Sequence, residues 1–160
     1  MSVAISEQIA RELLTRLERL EVASAYNTTA SEVVRPVRLG GFTPKDLQIV
    51  LTQDSPVRNE EIDCPGNPPK LGWDIQFNIR CHVMPSETSS TPVDDIINTM
   101  SADVVVAVCQ DSNWQTMDSL AINSQWLTHE NIDGDGSFDG VNIPLVVTYR
   151  VDETDPYTQA

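Results

Sequence analysis

WDIQFNIRCHV, at residues 73–83, alternates apolar and polar side chains along its whole length. A period of two is typical of a strand with one face packed on a core and the other face wetter. The apolar face carries Trp73, Ile75, Phe77, Ile79, Cys81 and Val83, and the wetter face carries Asp74, Gln76, Asn78, Arg80 and His82. The segment therefore predicts a long antiparallel strand with one buried face.

Four other segments have the character of strands. They are VVRPVRL at 33–39, DLQIVLTQ at 46–53, SLAINSQWLT at 119–128 and VNIPLVVTYRV at 141–151. Apolar residues alternate in the segment 46–53, which we expect to pair with 73–83. Pro36 and Pro144 have no N–H to donate to a neighbouring strand, so their strands are predicted to be edge or bulged strands.

Two segments have the pattern of amphipathic helices. Residues 5–20 repeat apolar side chains every three or four positions, and a second helix is expected to start with Thr91 as N-cap and Pro92 as the first helical residue. The apolar stripe of the second helix is Ile96, Ile97, Met100, Val104 and Val108. Helix, strands, helix, strands is an order without a βαβ rhythm. It predicts one α+β domain over residues 1–160, with a mostly antiparallel sheet and two helices packed on one face.

Three connecting segments are rich in turn-forming residues. Residues 54–71 form a long proline-containing loop, which is longer than a common hairpin and typical of a functional or mobile segment. Residues 129–140, HENIDGDGSFDG, are predicted to be a turn-rich loop between two strands. Residues 152–160 follow the last strand as a short hook, which Pro156 stiffens and which carries the aromatic residue Tyr157.

The charge of the chain excludes the usual kind of nucleic-acid grip. The formal net charge is −14, with only 10 Lys and Arg residues, whereas phosphate binding needs clustered bases. The same charge argues against docking on an anionic membrane surface. Residues 94–160 hold 12 acids and one base, Arg150, a net charge of −11. The start of the chain is not a signal peptide by its pattern, and no run approaches the ~20 apolar residues of a membrane span.

No motif for catalysis or for a cofactor occurs in the sequence. The two histidines, His82 and His129, stand apart from any nucleophile–base pattern, so the chain is predicted not to be an enzyme and to need no cofactor. The three cysteines are widely spaced and indicate neither a disulfide framework nor a zinc site.

One loop resembles a string of calcium ligands. Its alternate positions are Asp133, Asp135, Ser137 and Asp139. Phe138 and Pro144 then occupy the positions where an EF-hand loop needs glycine and glutamate, so a Gly/Asp turn joining two strands is favoured. A calcium-binding or small-ligand module remains the alternative from another class of protein.

TYRVDETDPY, at residues 148–157, is similar to the ending of tail terminator proteins of long-tailed bacteriophages. The resemblance implies a structural virion protein at the tail–neck junction, present in the host cytoplasm during assembly. Such a protein forms a six-membered ring that caps the tail tube, stops its growth and joins the tail to the neck. Its partners would be further copies of itself, the tail tube protein and a neck or head-completion protein. Another neck or head-completion protein is the alternative.

The candidate assembly residues follow from this ending. They are Tyr149, Arg150, Asp155, Pro156 and Tyr157. Tyr157 is an interface type of side chain, and Pro156 lowers the entropy cost of docking it. Arg150 is predicted to face the wetter side of the sheet and to tie down the carboxylates of the terminal turn. Alternatively, Tyr157 folds back on its own subunit. The acid excess would let DNA pass through the ring without specific binding.

Overall fold

Residues 3–36, 43–84, 86, 89–134 and 136–159 are described by the computed structural model of the chain. Two α-helices are present in this part of the chain: α1 (Ile5–Glu18) and α2 (Val93–Cys109). The strands are β1 (Glu32–Val34), β2 (Gln48–Gln53), β3 (Val57–Arg58), β4 (Lys70–Val83), β5 (Asn123–Trp126), β6 (Glu130–Asp133), β7 (Asp139–Asp152) and β8 (Asp155–Gln159).

One sheet contains all of these strands. Its centre is the antiparallel pair of β4 and β7, which runs from Lys70 opposite Asp152 to Val83 opposite Asp139. On the other side of β4 lie β2 and β3, and β1 adds to β2 in parallel. On the other side of β7 lie β6, β5 and β8, in that order along the strand. The predicted α+β fold with a mostly antiparallel sheet is confirmed.

The core lies between the helices and one face of the sheet. The odd-numbered residues of β4 from Ile75 to Val83 and of β7 from Val141 to Val151 are buried, as are Ile9, Leu13 and Leu17 of α1 and Val104 and Val108 of α2. This is the face that the alternation in 73–83 predicts to be apolar. Both helices pack on it, since a strand presents every second side chain to the same side.

The other face of the sheet is polar, but it is less wet than its sequence predicts. His82 is 2% exposed. Its Nδ1 lies 3.3 Å from Oε1 of Gln48, and its ring meets the ring of Phe138 edge to face at 4.9 Å. Burial, and secondarily the charge of Arg80, lower the pKa of His82. The turn after β6 therefore covers a histidine that alternation alone places in solvent.

Several element boundaries differ from the prediction. β1 ends at Val34, and residues 37–39 of the predicted strand 33–39 lie outside the described residues. β5 is shorter than the predicted 119–128 because Met117, Asp118 and Ser119 have φ angles of 44°, 57° and 71°, which turn the chain before the strand. Such left-handed conformations interrupt extended pairing.

Two further predictions about elements are corrected. The segment 129–140 is not only a loop, because β6 forms within it and pairs with the start of β7. The helix α2 starts one residue later than predicted, with Pro92 rather than Thr91 at the N-cap position.

Two arginines of α1 hold the C-terminal end of α2. Arg16 is 1% exposed, and it donates from Nη1 to the carbonyl of Val108 (3.0 Å) and from Nε to Glu12 (2.7 Å). Arg19 donates to the carbonyl of Ala107 (3.2 Å) and pairs with Asp111 (2.7 Å). α2 has no base in its own last turn, so α1 supplies the cations that its C-terminal carbonyls favour.

Replacing Arg16 by alanine tests this contact between the helices. Arg16→Ala is expected to lower the free energy of unfolding by roughly 2–4 kcal/mol, because it leaves a buried carbonyl and a carboxylate without their donor. Arg11→Ala is the matched control: Arg11 also pairs with a glutamate four residues away, but its side chain is 63% exposed. Its loss should cost less than about 1 kcal/mol. Equal costs in urea denaturation would contradict the assignment.

Candidate assembly surface

Three segments meet at one end of the sheet, where β4 starts and β7 ends. These are the C-terminal residues, the long loop before β4, and the start of α1. The amide of Glu153 donates to the carbonyl of Pro69 (3.0 Å), and Nε2 of Gln8 donates to the carbonyl of Tyr157 (3.3 Å). We call this end of the molecule, formed by residues 4–8, 54–73 and 149–158, the terminal end.

The hook predicted at 152–160 folds back and forms β8 on the end of β7. Val151 lies opposite Gln159, and Asp152 opposite Asp155. The carboxylate of Asp155 accepts from the amide of Tyr157 (3.1 Å) and from the hydroxyl of Thr158 (2.7 Å). The backbone of the hook thus lies on its own subunit, while Tyr157 remains 48% exposed.

Arg150 lies on the polar face of the sheet, opposite Gly72 on β4. Among the described residues, no ion pair joins it to the carboxylates of Asp152, Glu153 or Asp155. Its Nε is buried without a hydrogen-bond partner. The prediction that Arg150 ties down the terminal turn is therefore wrong, since main-chain pairing and Asp155 close that turn instead.

Tyr149 and Pro156 line a groove of about 250 Å³ at the terminal end. Its other apolar walls are Pro56, Leu71, Trp73 and Val151. Tyr149 itself is 5% exposed and its hydroxyl hydrogen-bonds with Ser6, while burial raises the pKa of this tyrosine. Tyr149 thus supports the groove from the core, and Pro156 forms part of its rim.

The long loop is held on the sheet by a clamp that the sequence did not reveal. Arg58 makes two parallel hydrogen bonds to Asp63 (2.9 and 2.8 Å) and donates to the carbonyl of Gly72 (2.6 Å). Asp63 in turn accepts from the amide of Gly72 (2.7 Å). The guanidinium also lies 5.2 Å from the ring centre of Trp73, a favourable cation–π arrangement.

Gly72 is needed where the loop crosses the strand. The short 3-10 helix Glu60–Ile62 passes so close over Gly72 that a Cβ at this position would collide with Ile62 and with the carbonyl of Asn59. The long loop therefore covers the polar face of the sheet at the terminal end, on the side where Arg150 lies.

The structure groups few residues that could do chemistry. Within the described ranges, no three His, Cys, Asp or Glu side chains are grouped to hold a metal ion. The calcium-like string forms the turn between β6 and β7, where the amide of Gly134 donates to the carbonyl of Phe138 (3.1 Å) and Ser137 donates to Gly134 (2.7 Å). Asp135 lies outside the described residues. No helix in the described part is both long and apolar enough to cross a membrane.

Comparison of the sequence with protein-family models and with curated proteins finds no match. Indications of function therefore come from the residues of this chain and from their geometry. The geometry brings together Pro156, Tyr157, the long loop and the start of α1, and it places Tyr149 below them in the core.

The clamp on the long loop should depend on pH. The hydrogen bonds from Arg58 and Gly72 lower the pKa of Asp63 to about 2. A carboxylate with a depressed pKa stabilises the fold fully above its unfolded value, near pH 4, and this stabilisation is lost as the pH falls through about 2. Asp63→Asn should therefore lower the melting temperature above pH 4, and the difference from wild type should shrink between pH 4 and pH 2.

Glu61→Gln is the control for this titration, because Glu61 is exposed in the same loop and has no side-chain hydrogen bond. Its melting temperature should follow that of the wild type at every pH. A constant difference between wild type and Asp63→Asn down to pH 2 would show that the Asp63 carboxylate is not the titrating group.

Proposed function

We propose that this chain is a structural protein of a bacteriophage tail, a tail terminator. In this proposal six copies form a ring that caps the tail tube, stops its growth and joins the tail to the neck or head. Its partners are other copies of the chain, the tail tube protein and a neck or head-completion protein. Its place in the virion is the tail–neck junction, and DNA passes through the ring without specific binding.

The ending TYRVDETDPY carries this proposal, together with the geometry of that ending. Asp155 fixes the turn, Pro156 lines the groove, and Tyr157 stays half exposed on an edge strand. A tyrosine on a stiffened backbone loses little entropy on docking and is a common anchor in protein interfaces. The terminal end is thus suited to contact another protein chain.

The charge of the chain supports a role around DNA that does not bind it. Of the 24 acids, 12 lie in residues 94–160, where Arg150 is the only base. Acidic side chains around a channel repel the phosphates of a duplex, so the duplex can slide. His82, a candidate for chemistry by residue type alone, is buried against Phe138, which favours a structural role over a catalytic one.

Replacing the exposed tyrosine tests the proposed role of the terminal end. Tyr157→Ala should change the melting temperature little, because the ring is 48% exposed. It should reduce the joining of purified tails to DNA-filled heads by at least about tenfold, the effect of losing an interface anchor of about 1.4 kcal/mol or more. Infectious particles formed by mixing heads and tails measure this loss.

Val22→Ala is the matched control, since Val22 is 59% exposed at another part of the surface. It should join tails to heads as well as the wild type. If the wild-type chain neither binds tube ends nor restores joining to tails that lack it, the proposed function fails. If Tyr157→Ala joins normally, the terminator could stand, but the role given to the terminal end would be wrong.

A further inference from the structure

A second groove, of about 560 Å³, lies at the opposite end of β7, between α2 and β6. Its apolar floor is Val93, Ile97 and Ile132, and its charged rim is Asp94, Asp133 and Asp139. Asp133 and Asp139 are direct cross-strand partners, an arrangement in which like charges repel. We call this site the acidic groove.

The chain supplies no neighbouring base for this groove from its own elements. No Lys or Arg occurs between residues 94 and 149. Among the described residues, neither Asp94 nor Asp139 takes part in an ion pair. A partner that brings positive charge and an apolar side chain would therefore complement both the rim and the floor.

The opposite edge of the sheet contains the complementary segment. Residues 33–45, VVRPVRLGGFTPK, carry three bases and no acid. Within this basic segment, Arg35 bonds to Glu7 (2.8 Å) and Lys45 to Glu32 (2.9 Å). The Lys45 side chain is 60% exposed. Exposed pairs of this kind contribute only ~0–1 kcal/mol, so they can exchange for the carboxylates of a partner.

One row of cross-strand partners connects the two edges. It runs from Glu32 through Gln48, His82 and Gly140 to Ile132. Lys45 lies at the first end of this row, bonded to Glu32, and the acidic groove lies at the other end. The row crosses five strands, or roughly 20 Å. Two copies placed side by side along it would meet without a step along the strand direction.

We propose that copies of this chain join head to tail, with the acidic groove of one copy taking the basic segment 33–45 of the next. The inference rests on the proposed function, because it names the surfaces that close the ring. The contact is heterologous, since different surfaces of two copies meet. A heterologous contact without an axial step closes into a ring rather than a helical filament.

Exchange of charges between the two surfaces tests the proposal. The groove variant carries Asp94→Lys and Asp139→Lys, and the segment variant carries Arg38→Glu and Lys45→Glu. Arg35 is left intact because it also bonds with Gln53. Each variant should weaken self-association by at least about tenfold, since like charges then face each other. The chain with all four changes should regain it. Sedimentation at several protein and salt concentrations measures the association, which should weaken at high salt.

The matched control is Glu18→Lys with Glu61→Lys, which changes the net charge equally at exposed residues of α1 and the long loop. It should associate like the wild type. Should the groove variant fail to fold, the neutral pair Asp94→Asn and Asp139→Asn replaces it, with a smaller loss expected. Association that ignores the groove changes, or a folded fourfold variant that does not regain it, would overturn the proposal.

Two other outcomes also decide the matter. If calcium raises the melting temperature of the wild type but not of the groove variant, the acidic groove holds a cation and the proposal is overturned. If the wild type caps tubes as a ring that the charge changes leave intact, only this inference fails. If the wild type neither associates nor binds tubes, the proposed function fails with it.

Discussion

The pairing of β4 with β7 is the constraint on which the rest of the structure depends. Both strands are 14 residues long and stay in register throughout. A slip of one residue would turn the apolar face of either strand away from the helices, exposing Phe77 and burying Asn78. The same register places the terminal end and the acidic groove at opposite ends of one rigid pair. The two candidate contact surfaces are therefore held at a fixed separation.

Strong periodicity made most of this fold predictable. The alternation in 73–83 and the apolar stripe of 5–20 are long enough to be unambiguous, and the α+β class follows from their order. β6 was missed because ENID has no clear alternation. β8 was missed because a short segment that starts Asp-Pro looks like a tail until a partner strand is available. Both strands form because β7 extends past its neighbours and offers them a free edge.

The candidate site was predictable only in its residue types. The ending indicated Pro156 and Tyr157, and the structure places Tyr157 on the surface. The role of Asp155 and the failure of Arg150 to reach the turn depend on side-chain geometry that alternation does not specify. The clamp of Arg58 on Asp63, and the acidic groove, join residues that no sequence spacing connects. Such contacts exist only once the sheet has brought their elements together.

The central claim is that copies of this chain close into a ring on the end of a tail tube. Electron micrographs of purified protein mixed with tail tubes test this claim most directly. The account predicts a closed ring, six-fold in end views, at one end of each tube, and tubes that no longer lengthen when more tube protein is added. Tubes with bare ends that keep growing, or a single copy bound at the end, would contradict it.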